Sequence, residues 1–367
     1  MNKVFMWVSV TLIFSICLAF CAGAALLDVF VVEHNSNEDI IVESVDFGNK
    51  SENSSLKNEA EETKSTSKHT TSNKNNKETS KVTESSNSSN SSNVENEPFK
   101  GVLTDKEMES LSKSITTSKT VGTYSNDNVE LSVIEKIFKS GSRSTTYFVV
   151  DIKVSSVEYL KAALASGNKL TTNKTEKVAT LATAKNAILA INGDGCGQSN
   201  RSSGYVVRDG VTYRSTARSS GDTQSLVIYG DGSMGIIDEK KTSLASVNNK
   251  WQVFSFGPSL INNGAISVTE GQEISGQSMA DNPRTSIGMI EPLHYVIIVG
   301  NGRTSSSKGL TLYQLAQALA YEGCTVGYNL DGGGSSTLWF NGKVINYPTT
   351  NGKYSERAVS DIVYIGA

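Results

Sequence analysis

The chain has 367 residues, with 34 Lys and Arg against 37 Asp and Glu and a formal net charge of −3. That near-neutral balance, with no basic stripe and no nucleic-acid motif, argues against nucleic acid as a partner. Its 4 cysteines and 3 histidines form no cluster with zinc-ligand spacing.

Residues 4–27 are an apolar run without a charge, preceded by Lys3 and closed by Asp28. Such a run can cross a hydrocarbon core of about 30 Å as a helix. It reads as an N-terminal membrane anchor. The alternative is a removed signal segment, because Ala22-Gly23-Ala24 resembles a small-residue cleavage site. Either reading exports the bulk of the chain. The anchor reading makes it a single-pass protein of the cell membrane with an extracellular C-terminal domain. From residue 35 to 98 the composition turns to Ser, Asn, Thr, Glu and Lys, and 85–93 is almost wholly Ser and Asn. That stretch cannot bury enough apolar surface to offset the entropy of ordering, so it is expected to be a disordered linker. The domains are therefore 1–34 (anchor or signal), 35–98 (linker) and 99–367 (head).

In the head, Thr104 with Glu107 forms a capping box that opens a short amphipathic helix to about residue 116. It is expected either to pack on the head or to belong to the stalk. Alternation predicts strands over 129–138 and 147–154. Residues 175–185 have helical spacing, and 187–191 read as a buried strand. Asp209-Gly210, Asp231-Gly232, Asn263-Gly264 and Asn341-Gly342 lie between apolar runs and predict hairpins. A further helix spans 311–321, with Leu312, Leu315, Ala316 and Leu319 on one face and Gly323 as its stop. A last strand is expected over 362–365. Many hairpins with few helices predict an α+β, β-rich single head domain rather than a parallel βαβ fold. Outside the anchor lie Cys196 and Cys324, which an exported domain could leave free or bridge.

The densest chemistry lies in Asn329-Leu330-Asp331-Gly332-Gly333-Gly334-Ser335-Ser336. Three successive glycines supply no packing, only backbone freedom and amides that a ligand can approach. A carboxylate, open amides and two hydroxyls on one turn suit an oxygen-rich ligand such as a sugar or phosphate. Three other loops also end apolar runs with Asn, Asp or Arg beside Gly or Pro. They are Asn192-Gly193-Asp194-Gly195, Asn282-Pro283-Arg284-Thr285 and Asn301-Gly302-Arg303. The four are read as rims of one cleft. Glu356-Arg357 reads as an exposed pair.

Taken together, these segments resemble the phosphodiester glycosidase family. The likeness also includes the 312–321 helix with Gly323-Cys324 and the pair Glu356-Arg357, and runs from about residue 142 to the C-terminus in the family's order. One departure is Asn192-Gly193-Asp194-Gly195-Cys196, where members usually have an aromatic after Asn and a small residue. The resemblance implies hydrolysis of a sugar joined through its anomeric carbon to a phosphodiester. A phosphate leaving group needs little protonation, so the main demands are holding the diester anion and stabilising an oxocarbenium-like centre. On that reading Arg284 and Arg303 clamp the phosphate, helped by the amides of Gly332, Gly333 and Gly334. Asp331 acts at the anomeric centre as nucleophile, base or stabiliser, and Asp194 is the second carboxylate. A separation of about 5–5.5 Å would suggest retention and about 6.5–9.5 Å inversion. Asn192, Asn301, Asn329, Ser335 and Ser336 would contact the substrate.

The expected substrate is a sugar-phosphate glycopolymer of the cell envelope or capsule. No cofactor or metal is expected, since no metal-loop spacing is present; a divalent cation on Asp331, Asp194 and loop carbonyls is the alternative. Two other functions compete: a polysaccharide-binding module without turnover, and a phosphodiesterase attacking phosphorus.

Overall fold

A computed structural model describes residues 103–274 and 280–366. The expected anchor and the whole of the expected linker lie outside these residues. Among the described residues no helix is long and apolar enough to cross a membrane.

The eight-stranded sheet has the order Ile115–Ser125, Val129–Ser140, Arg143–Val154, His294–Gly300, Arg284–Glu291, Val326–Asn329, Ser259–Asn262, Ala265–Ile266. Every neighbouring pair in it is antiparallel. Two five-stranded sheets face it. One is built around Lys250–Phe254 and Gln224–Tyr229, the other around Ala187–Asn192 and Asp361–Gly366. The period-two pattern decides which face each side chain takes. Along His294–Gly300, Tyr295, Ile297 and Val299 enter the core between the sheets, with Leu226, Phe254, Ile191 and Leu338 from the facing pair. Val296 and Ile298 point the other way, onto a second core with the helices.

Three α-helices complete the described fold: α1 (Asp105–Ser114), α2 (Val178–Ala184) and α3 (Leu312–Tyr321). α1 carries the Thr104–Glu107 capping box and buries Leu111 in the second core, so it belongs to the head and not to a stalk. α3 also starts at a capping box, Thr311 with Gln314, and lays Leu312, Leu315, Ala316 and Leu319 on the large sheet. Gly323, at φ +88, follows its C-terminus. α2 covers the outer face of one five-stranded sheet through Val178 and Ala182. All four expected hairpins form, at Val206–Arg208/Val211–Arg214, Gln224–Tyr229/Met234–Asp238, Ser259–Asn262/Ala265–Ile266 and Leu338–Phe340/Lys343–Val344. A further Asn-Gly hairpin, Thr349–Thr350/Lys353–Tyr354, turns at Asn351-Gly352.

The bridge between Cys196 and Cys324 does not form. Both thiols are free and buried, in different apolar clusters. Burial, the largest cause, pushes both pKa values well up.

Candidate active site

Asp331 lies two residues past the strand Val326–Asn329, and the backbone around it is held by two neighbouring segments. Leu330 N donates to Thr285 O at 2.9 Å, Asp331 N to Gly193 O at 3.2 Å, and Asn192 Nδ2 to Asp331 O at 2.7 Å. The carboxylate is nearly buried and accepts four hydrogen bonds. Oδ1 accepts from Gly332 N at 2.9 Å. Oδ2 accepts from Ser335 Oγ at 2.8 Å, Gln198 Nε2 at 3.2 Å and Arg357 Nη2 at 3.3 Å. Arg357 also donates to Ser335 Oγ and Gly332 O, bracing the glycine turn. Its neighbour Glu356 caps α2 through Ala179 N at 2.9 Å, so the pair read as exposed has two separate anchoring roles.

Asp331 opens into a cleft of about 440 Å³ lined by Gln198, Arg201, Phe256 and Arg357 among others. The Arg201 guanidinium carbon sits 4.3 Å from the Phe256 ring centroid, and Nη1 donates to Ser255 O. No carboxylate among the described residues pairs with Arg201. Asp331 is the one carboxylate among the residues lining the cleft, which also has two guanidinium groups. The cleft is therefore suited to an anion.

Asp331, Arg284 and Arg303 do not share the expected cleft, whose lining includes Asp331 but neither arginine. The three lie around one turn. A Cβ on Gly332 would be 4.0 Å from Arg284 Cδ, and one on Gly333 would be 3.0 Å from Arg303 Nη2. Gly333 has φ +63 as well, so the backbone favours glycine there. Arg284 is buried under the turn and donates to Leu310 O and Ala280 O, holding loops rather than facing a ligand. Burial first, then the Arg303 charge, pushes its pKa down to about 10. Arg303 is exposed, donates to Asn282 Oδ1 through Nε and Nη2, and stands outside the Asp331 cleft.

Asp194 is not a second carboxylate facing the substrate. It is almost fully buried: Oδ1 accepts from Arg208 Nη2 at 2.9 Å and Cys196 N at 3.0 Å, and Oδ2 from Ser255 N at 2.9 Å. The same Arg208 Nη2 reaches Asp361 Oδ2 at 2.8 Å, so one guanidinium bridges two buried carboxylates over the Phe254 ring. Burial opposes charge on all three. The Arg208 guanidinium nevertheless keeps the Asp194 pKa below its ordinary value, while burial and the neighbouring Asp194 charge raise that of Asp361 to about 6. Asp194, Cys196 and Asp361 approach closely enough to suggest a metal site, but the Arg208 guanidinium fills the space between the carboxylates with matching charge. Nor does Asp194, with both oxygens committed internally, supply a ligand shared with Asp331. The cluster is a pillar: through Cys196 N and Ser255 N it fixes the loops that carry Gln198 and Phe256. Two glycines that had suggested a ligand loop are crowded instead, Gly193 by Asp361 of this cluster and Gly195, at φ +68, by the Gln198 side chain. A Cβ on Gly193 would lie 2.1 Å from Asp361 Oδ2, and one on Gly195 2.5 Å from Gln198 Nε2.

The expected substrate amides are largely internal. Asn192 is buried and uses its whole side chain: Nδ2 donates to Gly193 O and Asp331 O, and Oδ1 accepts from Thr285 Oγ1 and Thr337 N. Asn329 is buried and donates to Gly257 O. Asn301 accepts from Tyr347 N. Ser336 is buried beneath the turn, and only Ser335 touches the Asp331 carboxylate. The amides of Gly332 and Gly333 go to Asp331 Oδ1 and Pro283 O, so neither is open to a phosphate. Gln198, Arg201 and Phe256 escaped sequence reasoning. Phe256, just before Gly257-Pro258, carried a signal: an aromatic at a rigid turn. It also gives the cleft an aromatic face, although none follows Asn192-Gly193.

Residues 185–366 match the family described as phosphodiester glycosidase. This part of the chain belongs to the phosphodiester glycosidase family. The chain is 30% identical over 198 residues to the SPbeta prophage-derived uncharacterized protein YomE of Bacillus subtilis strain 168, covering 53% of this chain and 30% of that protein. It is 30% identical over 161 residues to the N-acetylglucosamine-1-phosphodiester alpha-N-acetylglucosaminidase of Mus musculus, covering 40% of this chain and 30% of the mouse protein. It thus spans under a third of the length of these curated relatives. The fold is that of the zebrafish enzyme of the same name, whose catalytic domain is auto-inhibited by its pro-peptide. The TM-score is 0.55 at 21% identity, over 68% of this chain and 88% of that one. The Asp331 turn, the Arg303 loop and Arg357 all fall in the matched family segment.

Proposed function

We propose that this chain is an exported hydrolase that cleaves sugar-1-phosphodiester linkages in cell-envelope or capsular glycopolymers. Residues 4–27 would tether it to the membrane, and the polar stretch 35–98 would carry the head outward, across about 40–45 Å on average. The apolar run and the Ser/Asn-rich composition support that arrangement. Family membership supports the reaction class, and the name of the mouse enzyme supports N-acetylglucosamine as the first sugar to try.

The observation that carries this reading is a single carboxylate, Asp331, fixed by four donors at the edge of a cleft with two guanidinium groups. Arg201 and Arg357 hold the diester anion, and Phe256 keeps the Arg201 fork in place. Asp331 Oδ1, which accepts only from Gly332 N among the described residues, is directed at the anomeric carbon as positive charge develops there. The phosphate monoester departs without a strong general acid. Gln198 and Ser335 keep Oδ2 in position.

The test is to incubate the full chain with the methyl phosphodiester of α-N-acetylglucosamine 1-phosphate and with neutral methyl α-N-acetylglucosaminide. Free sugar from the diester and none from the neutral glycoside is the expected result. Retention of the diester without turnover, for it and for other sugar-1-phosphodiesters, would favour the binding module instead.

A further inference from the structure

Among the described residues, the large apolar side chains most exposed to solvent are Val211, Tyr347 and Tyr354. The two tyrosines are neighbours, with ring centroids 4.9 Å apart and planes tilted by 56°. Tyr347 precedes the Thr349–Thr350/Lys353–Tyr354 hairpin, and Tyr354 ends it. An aromatic pair left in water gives up the core packing that its area could provide.

The hairpin is tied to the glycine turn of the candidate active site. Tyr347 N donates to Asn301 Oδ1 at 2.8 Å, and Ser355 N to Pro348 O at 3.0 Å. Thr350 packs so closely on Gly334 that a Cβ there would lie 2.6 Å from Thr350 Oγ1. Two residues after Ser355, Arg357 reaches Asp331. On the same flank the exposed Arg303 guanidinium lies against Gly333, and no carboxylate among the described residues pairs with it. None of Tyr347, Tyr354 and Arg303 lines the Asp331 cleft. An aromatic pair and an unneutralised cation are thus both tied to the glycine turn, outside the cleft that Arg201 and Phe256 line.

We infer that this flank is a subsite for the neighbouring repeat of a sugar-phosphate polymer. The tyrosine rings take the apolar C–H face of a pyranose, and Arg303 takes the phosphate that joins it to the sugar in the cleft on the side away from the scissile diester. A monomeric diester would fill the cleft alone; only a polymer also reaches the flank. The inference rests on the proposed glycopolymer substrate and names the part of the surface that would read a second repeat of it.

The test uses the full chain, a poly(N-acetylglucosamine 1-phosphate) polymer and the monomeric methyl diester. Tyr347→Ala with Tyr354→Ala should raise KM for the polymer about tenfold and leave monomer kinetics unchanged within about twofold. Tyr354→Phe should behave as wild type, because stacking requires the ring and not the hydroxyl. Equal loss on polymer and monomer, or an unchanged polymer KM, overturns the inference. If neither substrate is turned over, the hydrolase reading fails separately. Affinity electrophoresis through gels holding the polymer or dextran then decides the subsite. Retardation of wild type by the polymer alone, lost in the double variant, upholds it. Equal mobility of the two proteins overturns it.

Discussion

Asp331→Asn should lower kcat for sugar release from a phosphodiester by roughly 10²–10⁴-fold, with substrate binding nearly unchanged. The substitution keeps the size of a side chain held between Gly332 N, Ser335, Gln198 and Arg357. It removes the charge that would face the anomeric carbon. Single-turnover kinetics and equilibrium binding on the same preparation separate the two effects. A parallel loss of binding and turnover would mean that Asp331 only shapes the cleft.

Arg208→Met should lower stability by about 3–5 kcal/mol, because it leaves Asp194 and Asp361 buried with their shared cation gone. In a domain of this size that corresponds to a fall in melting temperature of about 5–15 °C. The residues concerned lie behind the cleft, but they fix Cys196 N and Ser255 N, so the loops carrying Gln198 and Phe256 should loosen as well. Thermal unfolding followed by circular dichroism measures the shift. An unchanged melting temperature would show that the pillar bears no load. Asp194→Asn, which keeps its shape and loses one charge, should give a smaller shift in the same direction.

The fold was legible where a local rule acts alone. The Asn-Gly and Asp-Gly turns need left-handed backbone, and Asp209, Asn263 and Asn341 all have positive φ at hairpin turns. The two capping boxes are equally local. The strand Ile115–Ser125 was missed because it is an edge strand whose central residues, Thr116 to Thr120, are polar and exposed, so it shows no alternation. Asn351-Gly352 was missed for a related reason: its flanking strands are two residues each and too polar to show a period.

The site was legible in part. The 331–336 turn drew attention through its three glycines, and it does hold the cleft carboxylate. Asp194 was misread because glycines beside a carboxylate suggested open backbone. Here those glycines mark crowding, by Asp361 at Gly193 and Gln198 at Gly195. Arg284 was misread because a proline-stiffened arginine suggested a clamp, whereas its fork goes to backbone carbonyls under the turn. Arg201 and Phe256 come from separate loops and meet only in three dimensions, so no spacing in the chain shows their pairing.

Hydrolysis in oxygen-18 water tests the central claim most directly. Attack at the anomeric carbon beside Asp331 places the label in the released sugar and leaves the phosphate monoester unlabelled. Label in the phosphate and none in the sugar would contradict the account, making phosphorus the site of attack.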